Sequence, residues 1–116
     1  MTREATYDAV SKILIGMGVK QGNKRVIVCA EAVYQVLKNT GAIYGQWCSN
    51  VLPDTAEAIG MSYHAVCRAL GMLLDEIRGI DGGAVAKRKI GLPKNDPLTD
   101  RKDFVYRVAM LVKGKI

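Results

Sequence analysis

Apolar positions recur at helical spacing over the first two-thirds of this chain and loosen toward alternation near its end. Between Thr6 and Met17, residues Tyr7, Val10, Ile13, Leu14 and Met17 share one face, with Asp8, Ser11 and Lys12 opposite. That spacing predicts an amphipathic helix, with Thr6 as candidate N-cap and Gly16 and Gly18 as its stop. Lys20 to Asn23, KQGN, reads as a loop. The next segment, Lys24 to Thr40, opens on β-branched Val26, Ile27 and Val28, yet Val26, Ala30, Val33 and Leu37 recur at helical spacing among good helix formers. A second helix is expected there, stopped by Asn39, Thr40 and Gly41. Ala42 to Ser49 mixes aromatics with Gly45 and fits either a short strand or an irregular turn.

The stretch Asp54 to Gly79, DTAEAIGMSYHAVCRALGMLLDEIRG, predicts two helices joined by a tight turn at Gly60. Asp54 and Glu57 have the spacing of a capping box at the start of the first. Gly60 suits a reversal that needs positive φ. Ser62 is placed to cap the second helix, which should run through Ile77 and bury Val66, Leu70, Leu73 and Ile77. Arg78 then Gly79 supply a cation and a left-handed stop.

The pattern changes after Gly83. Ala84 to Leu92, AVAKRKIGL, alternates loosely in the manner of a strand, and Gly91 to Lys102 is turn-rich with two prolines. Asp103 to Val112, DFVYRVAMLV, is rich in strand formers. Together these predict a long β-hairpin. The expected fold is therefore mainly α with a C-terminal β-hairpin, an α+β class. One domain should span 1–116: an N-terminal helix and loop over 1–23, a helical core over 24–83 containing the helix pair at 53–79, and a hairpin over 84–112.

Short helix, turn, longer helix and basic hairpin, in that order, resemble the winged helix-turn-helix family of DNA-binding regulators. Ala56, Gly60 and Val66 match the family's small residue, turn glycine and buried aliphatic residue, and the likeness covers Pro53 to Leu111. The resemblance implies that the second helix enters the major groove of duplex DNA and that the hairpin, as a wing, lies along the backbone or minor groove. By position, Ser62, Tyr63, His64, Cys67 and Arg68 would face the DNA, with Arg68 able to pair bidentately with guanine. The wing would carry Lys87, Arg88, Lys89, Lys94, Arg101 and Lys102 for phosphate neutralisation. Alternation sets Lys87 and Lys89 on one face and Arg88 on the other. Cys67 is the weakest of these contacts, since it serves equally as a small packing residue.

Charge strengthens this picture. The net charge of +6 is uneven: residues 1–60 carry six Lys/Arg against five Asp/Glu, and residues 61–116 carry eleven against six. A basic half favours an anionic polymer as partner. Three cysteines, Cys29, Cys48 and Cys67, without a secretory signal at Met1 to Lys12, fit reduced thiols in the cytoplasm, and no apolar run is long enough to cross a bilayer. One histidine and no nucleophile-elbow, phosphate-loop or metalloprotease motif argue against an enzyme, and no cofactor is implied. His64 and Cys67 at i, i+3 with Cys29 and Cys48 offer zinc ligand types but lack tight C-x-x-C pairing, so no metal is expected. The expected function is sequence-specific binding of double-stranded DNA by a small transcriptional regulator of bacterial, phage or plasmid type. The N-terminal helix is a candidate dimerisation element, because two half-sites multiply specificity. The alternatives are a plasmid or phage replication or partition factor on repeated sites, and a winged-helix protein adaptor that binds no DNA.

Overall fold

The computed structural model describes residues 2–38 and 46–114. Six α-helices follow one another: α1 (Arg3–Gly16), α2 (Lys24–Lys38), α3 (Leu52–Ile59), α4 (Tyr63–Arg78), α5 (Ala84–Ile90) and α6 (Arg101–Val112). A π-helical turn, Trp47–Val51, leads into α3, and a 3-10 turn, Asp81–Gly83, leads into α5. No helix among the described residues is long and apolar enough to cross a membrane.

The expected hairpin is not there. The described residues contain no strand, and both segments assigned to the wing are helices, so the α+β class gives way to an all-helical one. Local chemistry explains why. Ala86 and Ile90 are buried one turn apart on α5, and Phe104, Val105, Val108 and Ala109 are buried on α6, which is a period of 3.6 rather than 2. Asp100 caps α6 by accepting from the Asp103 N–H at 3.0 Å, and Gly91 ends α5 in the left-handed region. Arg107 satisfies the orphan carbonyl of Ile90 at the end of α5 from 2.9 Å and pairs with Asp103 at 2.8 Å. Capping and helical burial thus outweigh the β-branched composition of DFVYRVAMLV.

Helix α2 is the hub, packing on α1, α3, α4 and α6. Its Val28, Cys29, Ala30, Ala32 and Val33 are all buried, as a helix surrounded by others requires. It starts at Lys24 as expected, with Asn23 accepting from the Arg25 N–H at 2.9 Å. Its expected stop at Asn39 to Gly41 lies outside the described residues, as does the first half of Ala42 to Ser49. The described end of that segment enters the π-helical turn, where Trp47 is buried 6.2 Å from the Tyr106 ring of α6.

One polar group lies inside this hub. Glu31 is 1 % exposed, and its carboxylate accepts from Arg3 Nε at 2.9 Å, from the Tyr7 hydroxyl at 2.6 Å and from Gln35 Nε2 at 2.6 Å. The Arg3 guanidinium also stacks over Tyr34, 4.6 Å from its centroid. A buried carboxylate is tolerable only when satisfied in this way, and two of its donors come from α1. The same helix starts earlier than its pattern suggests: Thr2, not Thr6, is the N-cap, accepting from the Ala5 N–H at 3.1 Å. Thr6 is buried inside the first turns and donates to the Thr2 carbonyl at 2.9 Å.

Burial, then the hydrogen bond to Glu31, pushes the Tyr7 phenol well above its ordinary value of 10.0. A raised value means that the folded state holds the proton more tightly than the unfolded chain does. Tyr7 therefore contributes its full stability below pH 10 and loses it as pH rises above that. Tyr7→Phe should lower unfolding free energy at neutral pH by about 1.5–3 kcal/mol, the range for a hydrogen bond to a charged group, and should flatten the alkaline decline. Urea titrations of both proteins from neutral to alkaline pH test this; an unchanged alkaline slope would show that Tyr7 does not carry the linkage.

Candidate nucleic-acid interface

Helices α3 and α4 are joined by a tight turn at Gly60, as their sequence predicts. Gly60 sits at φ 77°, ψ 34°, and the Gly60 and Met61 N–H groups both donate to the Ala56 carbonyl, at 2.9 and 3.0 Å. Ala56 is buried, and Val66 on α4 is fully buried beneath the turn. Ser62 caps α4 by accepting from the Ala65 N–H at 3.1 Å, and Val66, Leu70, Leu73 and Ile77 form its buried stripe. Two details differ from the sequence reading. Asp54 and Glu57 form no capping box, because α3 begins at Leu52 and its first N–H groups continue from the π-helical turn, with Leu52 N–H bonded to Trp47 O. Gly79 stays in the right-handed region at φ −70° and makes no left-handed stop.

The exposed face at the start of α4 carries Ser62, Tyr63, His64 and Arg68, with Cys67 half-buried among them. The Tyr63 and His64 rings meet edge-on at 5.7 Å and 88°. A hydrogen bond with the exposed Cys48, followed by burial, raises the Tyr63 phenol above its ordinary range, so it remains a neutral donor at physiological pH. Burial raises the Cys67 thiol, against a lowering by Arg101. Cys29, by contrast, lies at 0 % exposure in α2, where burial pushes its thiol up to about 12. It is therefore apart from the surface that Cys48 and Cys67 share with Tyr63.

The six basic residues assigned to a wing have no wing to occupy, and the helices distribute them differently. Lys87 and Arg88 on α5 line a separate groove with Lys94, in which the Lys87 ammonium donates to the Lys94 carbonyl at 3.1 Å. Lys89 approaches the C-terminal end of α1, so that a Cβ on Gly16 would stand 3.2 Å from its ammonium. There it faces the negative end of a helix dipole. Lys102 is half-buried in the first turn of α6. Only Arg101 reaches the face of α4. Its guanidinium lies over Gly71, and it lines a groove of about 390 Å³ together with Arg68, Met72, Asp75, Arg78 and Thr99.

Partnering divides the arginines. Arg3, Arg25, Arg78 and Arg107 each hold a carboxylate, whereas among the described residues no such pair is formed by Arg68, Arg88 or Arg101. The exposed face of α3 is different, because Asp54 and Glu57 share a groove with Arg3 and Lys38. Positive charge on the helix-turn-helix therefore comes from α4 and from the start of α6. Gly71, Met72 and Thr99 belong to this surface and escape a sequence reading. The one available signal is a glycine in the middle of a strongly helical segment, which needs a packing reason.

No family model, curated protein or solved structure matches this chain.

A Cβ at Gly60 would meet no atom within 4 Å, so Gly60→Ala tests the backbone alone. The left-handed conformation should cost about 1–2 kcal/mol with alanine, lowering Tm by about 4 °C, and Gly60→Asn should lose less. Equal Tm values for glycine and alanine would show that the turn relaxes away from positive φ.

Proposed function

We propose that this protein binds duplex DNA sequence-specifically, as a small transcriptional regulator that places α4 in the major groove and acts as a homodimer. The observation that carries this reading is Arg68, which holds no carboxylate among the described residues, on the exposed face of the capped helix α4. An arginine there can make two hydrogen bonds to guanine O6 and N7, worth about 1–3 kcal/mol of discrimination. Ser62, Tyr63 and His64 add donors at the N-terminal end of the same helix, where backbone phosphates are commonly held. The excess of positive charge in the second half of the chain supplies the sequence-independent attraction. One recognition helix reads only a few base pairs, so a dimer on an inverted repeat supplies the specificity that a single copy lacks.

Selection of bound fragments from a random duplex library, at about 0.15 M salt, should recover an inverted repeat. Arg68→Ala should relax one position of each half-site while the remaining positions stay selected. Direct repeats would favour a replication or partition factor. Recovery of no motif, with binding that disappears as salt rises, would reduce the DNA interaction to charge attraction and favour a protein-binding adaptor.

A further inference from the structure

We propose that Arg68 and Arg101 form a seat for a phosphate of the DNA backbone at the edge of α4, and that Gly71 creates it by leaving room for the Arg101 guanidinium. This rests on the DNA-binding reading and assigns to that surface a phosphate contact made from α6.

The seat begins with a missing side chain. Gly71 lies in the interior of α4, where glycine is the least favourable residue after proline. A Cβ there would stand 2.6 Å from one terminal nitrogen of Arg101 and 2.9 Å from its Nε, closer than such atoms approach. The guanidinium therefore occupies the space that a side chain at Gly71 would fill, about one turn beyond Arg68. The chain entering α6 is fixed so as to deliver it. Leu98 is 2 % exposed and fits against Gly83, where a Cβ would meet it at 2.8 Å. Arg78 on α4 donates to the Leu98 carbonyl at 2.6 Å and pairs with Asp75. Asp100 caps α6 one residue before Arg101.

Arg68 and Arg101 line one groove, and guanidiniums brought together repel each other unless an anion lies between them. Asp75 is the groove's one carboxylate, and Arg78 already holds it. Thr99 lines the same groove, and its hydroxyl is a further donor type for a tetrahedral oxyanion. Guanidinium geometry suits phosphate oxygens, and a groove open along a recognition helix suits the phosphate of a long polymer.

The test compares wild type, Gly71→Ala and Arg101→Gln for Tm and for affinity toward a selected duplex across a salt series. Alanine raises helix propensity, so Tm should hold or rise in Gly71→Ala. The displaced guanidinium should nonetheless reduce affinity about tenfold, as for loss of one charge-assisted hydrogen bond, and reduce the salt slope by about one. Arg101→Gln should do the same, and the double variant should lose little more than either single one. Wild-type affinity and slope in both single variants would overturn the seat while leaving DNA binding by α4 intact. If wild type bound no duplex at all, the DNA reading would fail, and titration with inorganic phosphate would judge the seat. Coupled shifts of the Arg68 and Arg101 Nε–H resonances, lost in Gly71→Ala, would keep a phosphate site, and their absence would overturn it.

Discussion

A carboxylate buried in the central helix sets the terms for the rest of this structure. Glu31 has 1 % of its surface exposed, and an unsatisfied charge there would cost several kcal/mol. Arg3 and Tyr7 reach it from α1, and Gln35 from one turn further along α2. The network fixes the rotation and register of α1 on α2 in a way that Val10 and Leu14 alone would not, since apolar contacts have little directionality. With α1 in place, α2 is covered on one side and offers its remaining surface to α3, α4 and α6. N-terminal residues that look like a detachable amphipathic helix are thus bound into the core by a charge.

The same frame holds the helix-turn-helix. Glu76 on α4 accepts from Asn23 at 2.8 Å and from Arg25 at 3.2 Å, which joins the start of α2 to the far end of α4. The near end of α4 is set by the Gly60 turn and the Ser62 cap. The exposed face of α4 is therefore positioned at both ends, at the far end by groups that take no part in that face and at the near end by a cap, Ser62, that belongs to it. Arg78 and Arg107 do comparable work for α5 and α6, one holding the Leu98 carbonyl and the other the end of α5.

Legibility in the sequence followed the range of the forces. The helix pair at Asp54 to Gly79 was readable because its determinants are local: a glycine at the turn, a serine cap and a stripe at i, i+4, i+7 and i+11. Asp54 and Glu57 misled because what precedes α3 is itself helical, which no rule about caps foresees. The segment 84–112 failed for a different reason. Its β-branched and aromatic residues fit strand and helix alike when counted by composition, and the paired burial of Phe104 with Val105, and of Val108 with Ala109, is what separates the two. Asp100 three residues before Asp103 was the local clue to a helix start, obscured by the prolines around it. The role of Glu31 was illegible, because a single acid in a helical pattern normally marks the solvated face. Only the approach of Arg3 and Tyr7 from another helix makes its burial tolerable.

The loss of the wing changes where the basic charge goes. On a hairpin, Lys87, Lys89, Lys94 and Arg101 would have followed one ribbon. On helices they separate, with Lys89 toward α1, Lys87 and Lys94 in their own groove, and Arg101 carried back onto α4. Separation sharpens the distinction between cations that stabilise and cations that remain available. An arginine that holds a carboxylate or a carbonyl has its hydrogen-bonding fork engaged, and releasing it for a ligand would cost that bond. Arg68 and Arg101 carry no such cost, because neither holds a carboxylate among the described residues, and the Arg101 guanidinium already packs against Gly71 of α4. Pre-ordering lowers the entropy lost on binding, so a groove that holds two such guanidiniums beside α4 is a better receptor for an anion than a larger number of solvated lysines.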